Sequence, residues 1–138
     1  MLINKITLCL VFVILLPGIA VAEVGFCFES KLPCGKTINI KLSIPDETGD
    51  KGFIRYKNGN SDIAIKKVKE KVLSPKNQLP ATVQSKWQEK SNGLATGYYY
   101  LTSIGANIGE FIYVRKRDNK RFTFFDDRQN PELNCGWD

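Results

Sequence analysis

Histidine is absent from all 138 residues, and that absence narrows the chemistry before any pattern is read. Without an imidazole there is no Ser–His or Cys–His nucleophile pair and no zinc site built on imidazole, so most hydrolytic mechanisms are excluded. Also missing is an apolar run of the about 20 residues that a membrane-spanning helix needs. The run Ile6 to Leu16 is shorter and is broken by Pro17-Gly18. With 43% hydrophobic and 25% charged residues, 11 Gly and 6 Pro, the composition is that of an ordinary globular domain. Disorder, collagen-like repeats and coiled coil are thereby excluded.

What is present begins with an address. Met1 to Lys5 carries one positive charge, the apolar run follows, and Ala20-Val21-Ala22 offers small residues where a signal peptidase reads. Residues 1–22 are expected to be a cleaved signal peptide, with residues 23–138 forming a single β-rich domain and no stable membrane anchor. Cys9 lies inside the apolar run and Cys27 follows bulky Phe26, so neither offers the small preceding residue of a lipid-attachment site. Cleavage removes Lys5 from the 20 Lys+Arg and leaves the 14 Asp+Glu, for a mature net charge of +5. The expected location is periplasmic or secreted.

Three of the 4 cysteines remain: Cys27, Cys34 and Cys135. An oxidising compartment favours one disulfide and one leftover thiol. Closing a loop of about 100 residues is worth roughly 4–5 kcal/mol in the chain-entropy account. Cys135 is therefore expected to be bridged, to Cys27 or to Cys34. A metal site is not expected, because the three thiols lack a fourth soft ligand and any Cys-x-x-Cys spacing.

Along the mature chain the periodicity is that of strands. Thr37 to Ile44 alternates apolar and polar positions, Phe53 to Lys57 resumes after a polar turn, and Asn58-Gly59-Asn60 is a hairpin signal leading to Ile63-Ala64-Ile65. The alternation slips at Lys66-Lys67, which predicts a bulge or the end of the strand. Ser74 to Pro80 reads as a loop. Ala81 to Lys90 reads as a short helix with Val83 and Trp87 on one face, closed by Asn92-Gly93. Gly97 to Ser103, and a hairpin of Glu110–Arg117 with Arg121–Phe125 about Asp118-Asn119-Lys120, complete the pattern. About six strands with close turns imply a mainly β fold, a small antiparallel barrel or sandwich with one short helix.

The remaining acid–base candidates are carboxylates, and none is paired by spacing. Asp126 and Asp127 are adjacent and would face opposite sides of a strand, while Glu89 and Glu110 have no evident partner. No catalytic residue and no cofactor is indicated, so binding is the expected task. Two basic clusters stand out: Lys66, Lys67, Lys69 and Lys71, then Arg115, Lys116, Arg117, Lys120 and Arg121. Such charge steers a protein to anionic partners, and it also serves simply to guard sheet edges and hairpin tips. No nucleic-acid-binding motif is present. Tyr98-Tyr99-Tyr100 alternates faces, so one exposed tyrosine beside Trp87 would suit a protein interface or a sugar platform. Ser103 to Gly109 is small, glycine-rich and a candidate insertion loop.

Several of these residues together resemble the periplasmic and membrane-bound inhibitors of c-type lysozyme. The resemblance rests on Cys27-Phe28-Glu29, Ile38 to Leu42, and Phe53 to Asn58 as Phe-x-x-Tyr-x-Asn. It continues with Gly105-Ala106 running into Phe111 to Val114, and with Leu133-Asn134-Cys135. It implies an all-β barrel, pairing of the first and last cysteines (Cys27 with Cys135), and a loop that enters the cleft of the target enzyme. Where that family has Ser-Gly-x-x-Tyr, this chain has Ser103 and Gly105 separated by Ile104, with Ile108 at the tyrosine position. The expected role is thus to bind and block another protein, a lysozyme-like hydrolase or a toxin of that kind. Ser103, Gly105, Ala106, Asn107 and Tyr99 are the candidate contact residues, with Arg115 and Arg117 pairing to the target's carboxylates. A periplasmic ligand-binding or scaffold module for a glycan or apolar ligand is the alternative.

Overall fold

The computed structural model describes residues 24–45, 49–126 and 135–137. The expected signal segment 1–22 and Asp127 lie outside the described residues. Eight strands follow one another: β1 (Val24–Lys31), β2 (Thr37–Ile44), β3 (Lys51–Tyr56), β4 (Ile63–Val72), β5 (Thr82–Ser91), β6 (Leu94–Ile104), β7 (Asn107–Arg115) and β8 (Arg121–Asp126). Each pairs antiparallel with the next, and β8 returns to β1 to close a barrel. The order is up-and-down throughout. Turns therefore collect at two rims: an upper one bearing 32–36, 57–62, 92–93 and 116–120, and a lower one bearing 73–81 and 105–106.

The local sequence explains these reversals. Asn92 and Gly93 both have positive φ (51° and 78°), the conformation a two-residue hairpin requires, and Asn119 (54°) serves the same end in the β7–β8 turn. The slip after Lys66-Lys67 is a register shift in the β4–β5 ladder between Lys67 and Lys69, which throws Val68 outward.

One expectation is overturned. Residues 81–90 are not a helix; they are most of β5, and Asn92-Gly93 is a hairpin turn rather than a helix stop. Val83 and Trp87 do share a face, but so do Ser85 and Glu89 between and beyond them. The period is two, hidden by the polar residues that the interior accepts. The strand count rises to eight because β5 and the N-terminal β1 join those read from the pattern.

Inward side chains fill the barrel. Phe28, Ile40, Leu42, Ile54, Ile65, Trp87, Tyr99, Leu101, Phe111, Tyr113 and Phe124 form one buried cluster. Burying each large apolar side chain contributes about 1.5–3 kcal/mol, so this cluster is the main stabilising feature. Its aromatic spine runs Phe28–Phe111–Tyr99–Tyr113, with ring centroids 4.7, 5.5 and 4.6 Å apart. Gly97 is needed in that spine, since a Cβ there would run into the Tyr113 ring.

Cys27 points out of the barrel and is bridged to Cys135, which ties Cys135 to β1. Both are buried, whereas Cys34 is an exposed free thiol in the β1–β2 turn. The choice left open by cysteine count is settled for the longer loop, as the resemblance implied. A disulfide belongs with an oxidising compartment.

Candidate functional site

At the upper rim the barrel's interior ends in a polar network. Glu89 accepts hydrogen bonds from Thr96 Oγ1 (2.7 Å), Tyr99 OH (2.8 Å) and Tyr113 OH (3.1 Å), and the Tyr56 hydroxyl lies 3.5 Å from that of Tyr99. Burial pushes the Tyr99 and Tyr113 hydroxyls above their ordinary pKa, and the neighbouring Glu89 carboxylate adds to the rise. The hydrogen-bonding partners of Glu89 are hydroxyls, and three donors already occupy its two oxygens. That is how a buried acid is accommodated. Lower down, Trp87 Nε1 donates to Ser85 Oγ at 2.9 Å, which satisfies the one polar atom of the indole inside the core.

The lower rim is built differently. β3 meets β4 only from Lys51↔Lys66 to Ile54↔Ile63, and β8 meets β7 only from Phe111↔Phe124 onward. The segments β4 Lys69–Val72, β5 Thr82–Ser85, β6 Leu101–Ile104 and β7 Asn107–Glu110 thus continue past their outer neighbours. They form a four-stranded tip that stands beyond the closed part of the barrel. The 73–81 connection folds against it. Leu73 N–H donates to Thr82 O (2.8 Å), Thr82 N–H to Ser74 Oγ (3.0 Å), and Gly105 N–H to Ala81 O (3.3 Å).

Large apolar side chains crown this tip. Leu79 is 88% exposed, Val72 62%, Leu73 49% and Ile104 44%. Scattered apolar residues on a surface are ordinary, but a set gathered on one projection and braced by backbone hydrogen bonds suits a protein interface.

The residues singled out by sequence do not converge. Ser103, Gly105, Ala106 and Asn107 lie together at this tip, though as a tight turn: β6 pairs with β7 up to Ile104↔Asn107, so only Gly105 and Ala106 are unpaired between the strands. Gly105 has φ +58° and sits against Pro80, which a Cβ would meet at 3.1 Å. Arg115 and Arg117 are at the upper rim instead. One traverse of β7 at about 3.4 Å per residue separates them from Gly105 by about 30 Å. They cannot flank the same cleft.

Arg115 is also committed elsewhere. Its guanidinium grips Asp118 through Nε (3.0 Å) and Nη2 (2.7 Å), and that bond pulls the Asp118 carboxyl down to about 2. Tyr99 fails for another reason: it is fully buried in the core, as is its neighbour Trp87. Of the three tyrosines one points in and two point out, and the outward pair is Tyr98 and Tyr100. The apolar crown of Val72, Leu73 and Leu79 carries no pattern in the sequence, since these residues fall at the end of β4 and in the connection that follows it.

No protein-family model, curated protein or solved structure matches the chain, so the fold and its surfaces must carry the functional argument.

Proposed function

We propose that this is an exported, non-enzymatic protein that binds and blocks another protein, with a peptidoglycan hydrolase as the partner class. The observation that carries the reading is the projecting lower-rim tip, where Leu79, Val72, Leu73 and Ile104 stand exposed on a braced four-stranded support. A projection crowned with apolar side chains fits a cleft. The Gly105-Ala106 turn lies beside it, at the position the lysozyme-inhibitor resemblance gives to the entering loop. The Cys27–Cys135 bridge and the expected signal segment both favour export. A mature net charge of +5 favours an acidic cleft, since like charges repel during encounter.

The test uses the disulfide-bonded mature chain (residues 23–138) as bait in periplasmic and culture extracts, followed by wall-hydrolysis assays on whatever enzyme is recovered. The expected result is a stoichiometric complex with a wall hydrolase and loss of its activity. Leu79→Asp should weaken the complex at least roughly tenfold, a cost of about 1.4 kcal/mol, without shifting the melting temperature. A complex unchanged by Leu79→Asp, or recovery of no hydrolase, overturns the reading.

The ligand-binding alternative has its own supporting feature, a hollow of about 470 Å³ at the upper rim lined by Thr37, Ile38, Asn39, Tyr56, Lys57 and Asn58. Barrel mouths are common ligand sites. Mutations there, and not at Leu79, would abolish binding if that reading were correct.

A further inference from the structure

The outer wall of the barrel carries a second feature, on the outward face of β4, β5 and β6 where the tip joins the closed barrel, and distinct from the apolar crown and its proposed role. A groove of about 240 Å³ is lined by Lys69, Lys71, Gln84, Lys86 and Tyr100. The register shows how the sequence assembles it. Lys69 lies opposite Lys86 and Lys86 opposite Tyr100; one row on, Lys71 lies opposite Gln84 and Gln84 opposite Thr102.

Like charges directly opposite on a sheet are destabilising, so Lys69 against Lys86 carries a local electrostatic cost. The acid between Lys69 and Lys71 offers no relief. Glu70 pairs with inward-facing Ser85 and its carboxylate is held by Lys67 at 2.9 Å. The ion pairs found among the described residues lie elsewhere, at Arg55–Asp62, Lys67–Asp50, Lys67–Glu70 and Arg115–Asp118. Edge protection accounts for Lys69 and Lys71, which stand where β3 no longer covers β4. It does not account for Lys86, which sits on a strand paired on both sides. Lys86 is moreover held in place, its Nζ 4.1 Å from the Tyr98 ring centroid and 5.6 Å from that of Tyr100.

We infer that this groove binds an anionic glycan, with the ammonium groups of Lys69, Lys71 and Lys86 taking carboxylate or sulfate groups. The Gln84 amide meets sugar hydroxyls and Tyr100 supplies an apolar ring edge. Three observations favour an anionic sugar chain over a bilayer or a free phosphate. The site is concave, whereas a bilayer surface needs no recess. It combines an amide and one aromatic ring with the charges, which a bare phosphate would not use. Its lysines follow two successive rows along the strands, matching charges repeated along a chain.

The test is calorimetric titration of the disulfide-bonded protein with tetragalacturonate at low and at about 0.15 M salt. Maltotetraose, inorganic phosphate and vesicles of phosphatidylglycerol in phosphatidylcholine serve as comparison arms. The expected outcome is binding of the acidic tetrasaccharide, weakened by salt, and none of the neutral one. Lys69→Gln, Lys86→Gln and Tyr100→Leu should each weaken it by roughly three- to tenfold with unchanged circular dichroism. The double variant Lys31→Gln/Lys36→Gln, which removes two exposed lysines that line neither this groove nor the upper-rim hollow, should leave it intact. Equal loss in that double variant would mean diffuse charge and overturn the proposal. So would preferential binding of vesicles or phosphate, or no binding in any arm.

Discussion

The two faces of the β5–β6 ladder are drawn from the same stretch of chain yet obey opposite rules. Inward, Ser85, Trp87, Glu89, Tyr99 and Leu101 are buried, and each polar atom is matched to a partner in the core. Outward, Gln84, Lys86, Tyr98 and Tyr100 are half-buried, and two lysines face one another across a strand pair. Inside, local cost is cancelled by packing. Outside, the repulsion between Lys69 and Lys86 has no opposite charge among the described residues to cancel it and only the Tyr98 and Tyr100 rings to soften it, which is the pattern expected where a surface is kept for a ligand rather than for stability.

That contrast is broken most directly by truncating each face in turn. Trp87→Ala removes a buried indole and its hydrogen bond to Ser85, and the expected loss is about 3–5 kcal/mol. Denaturant titration checks it; a loss below about 1 kcal/mol would mean the interior is not the close-packed unit described here.

Alkaline pH sharpens the same contrast. Tyr99 and Tyr113 have folded-state pKa values raised by burial, so their contribution to stability is complete below the unfolded value near 10. It is lost as pH rises beyond that value towards the folded ones. Each hydroxyl contributes a slope of up to about 1.4 kcal/mol per pH unit. Urea midpoints measured between pH 8 and 11 should therefore fall, and Tyr113→Phe should flatten the decline. A flat profile would show that these hydroxyls are freely solvated.

The smallest effect belongs to the outer face. Lys86→Gln should change stability by no more than about 0.5 kcal/mol, because relief of the repulsion from Lys69 is offset by loss of the contacts with the Tyr98 and Tyr100 rings. Thermal melts at low and high salt would detect a larger destabilisation, which would instead mark Lys86 as structural.

Much of the fold was legible because most strands alternate cleanly and the turns carry their own chemistry. Asn58-Gly59 and Asp118-Asn119-Lys120 mark hairpins that the barrel contains. β5 was concealed by its interior partners: Ser85 and Glu89 look solvent-facing until Trp87, Thr96, Tyr99 and Tyr113 are seen to bind them. The tyrosine run resisted assignment for a related reason, since alternation gives the faces but only register tells which is inside. For the candidate site the obstacle was distance. Gly105 and Arg115 are close in sequence, and a strand is the one element that converts such closeness into maximal separation.

The Cys27–Cys135 bridge joins positions 108 apart, so β2 through β8 lie within one covalent ring. A protease that cuts once in the 73–81 loop opens the ring but frees no fragment: both pieces stay tied through the bridge, and the ladders on either side hold them in register. Excising any strand takes two cuts. The lifetime of such a molecule among proteases is governed by the second cut, and a first nick at an exposed loop is survivable.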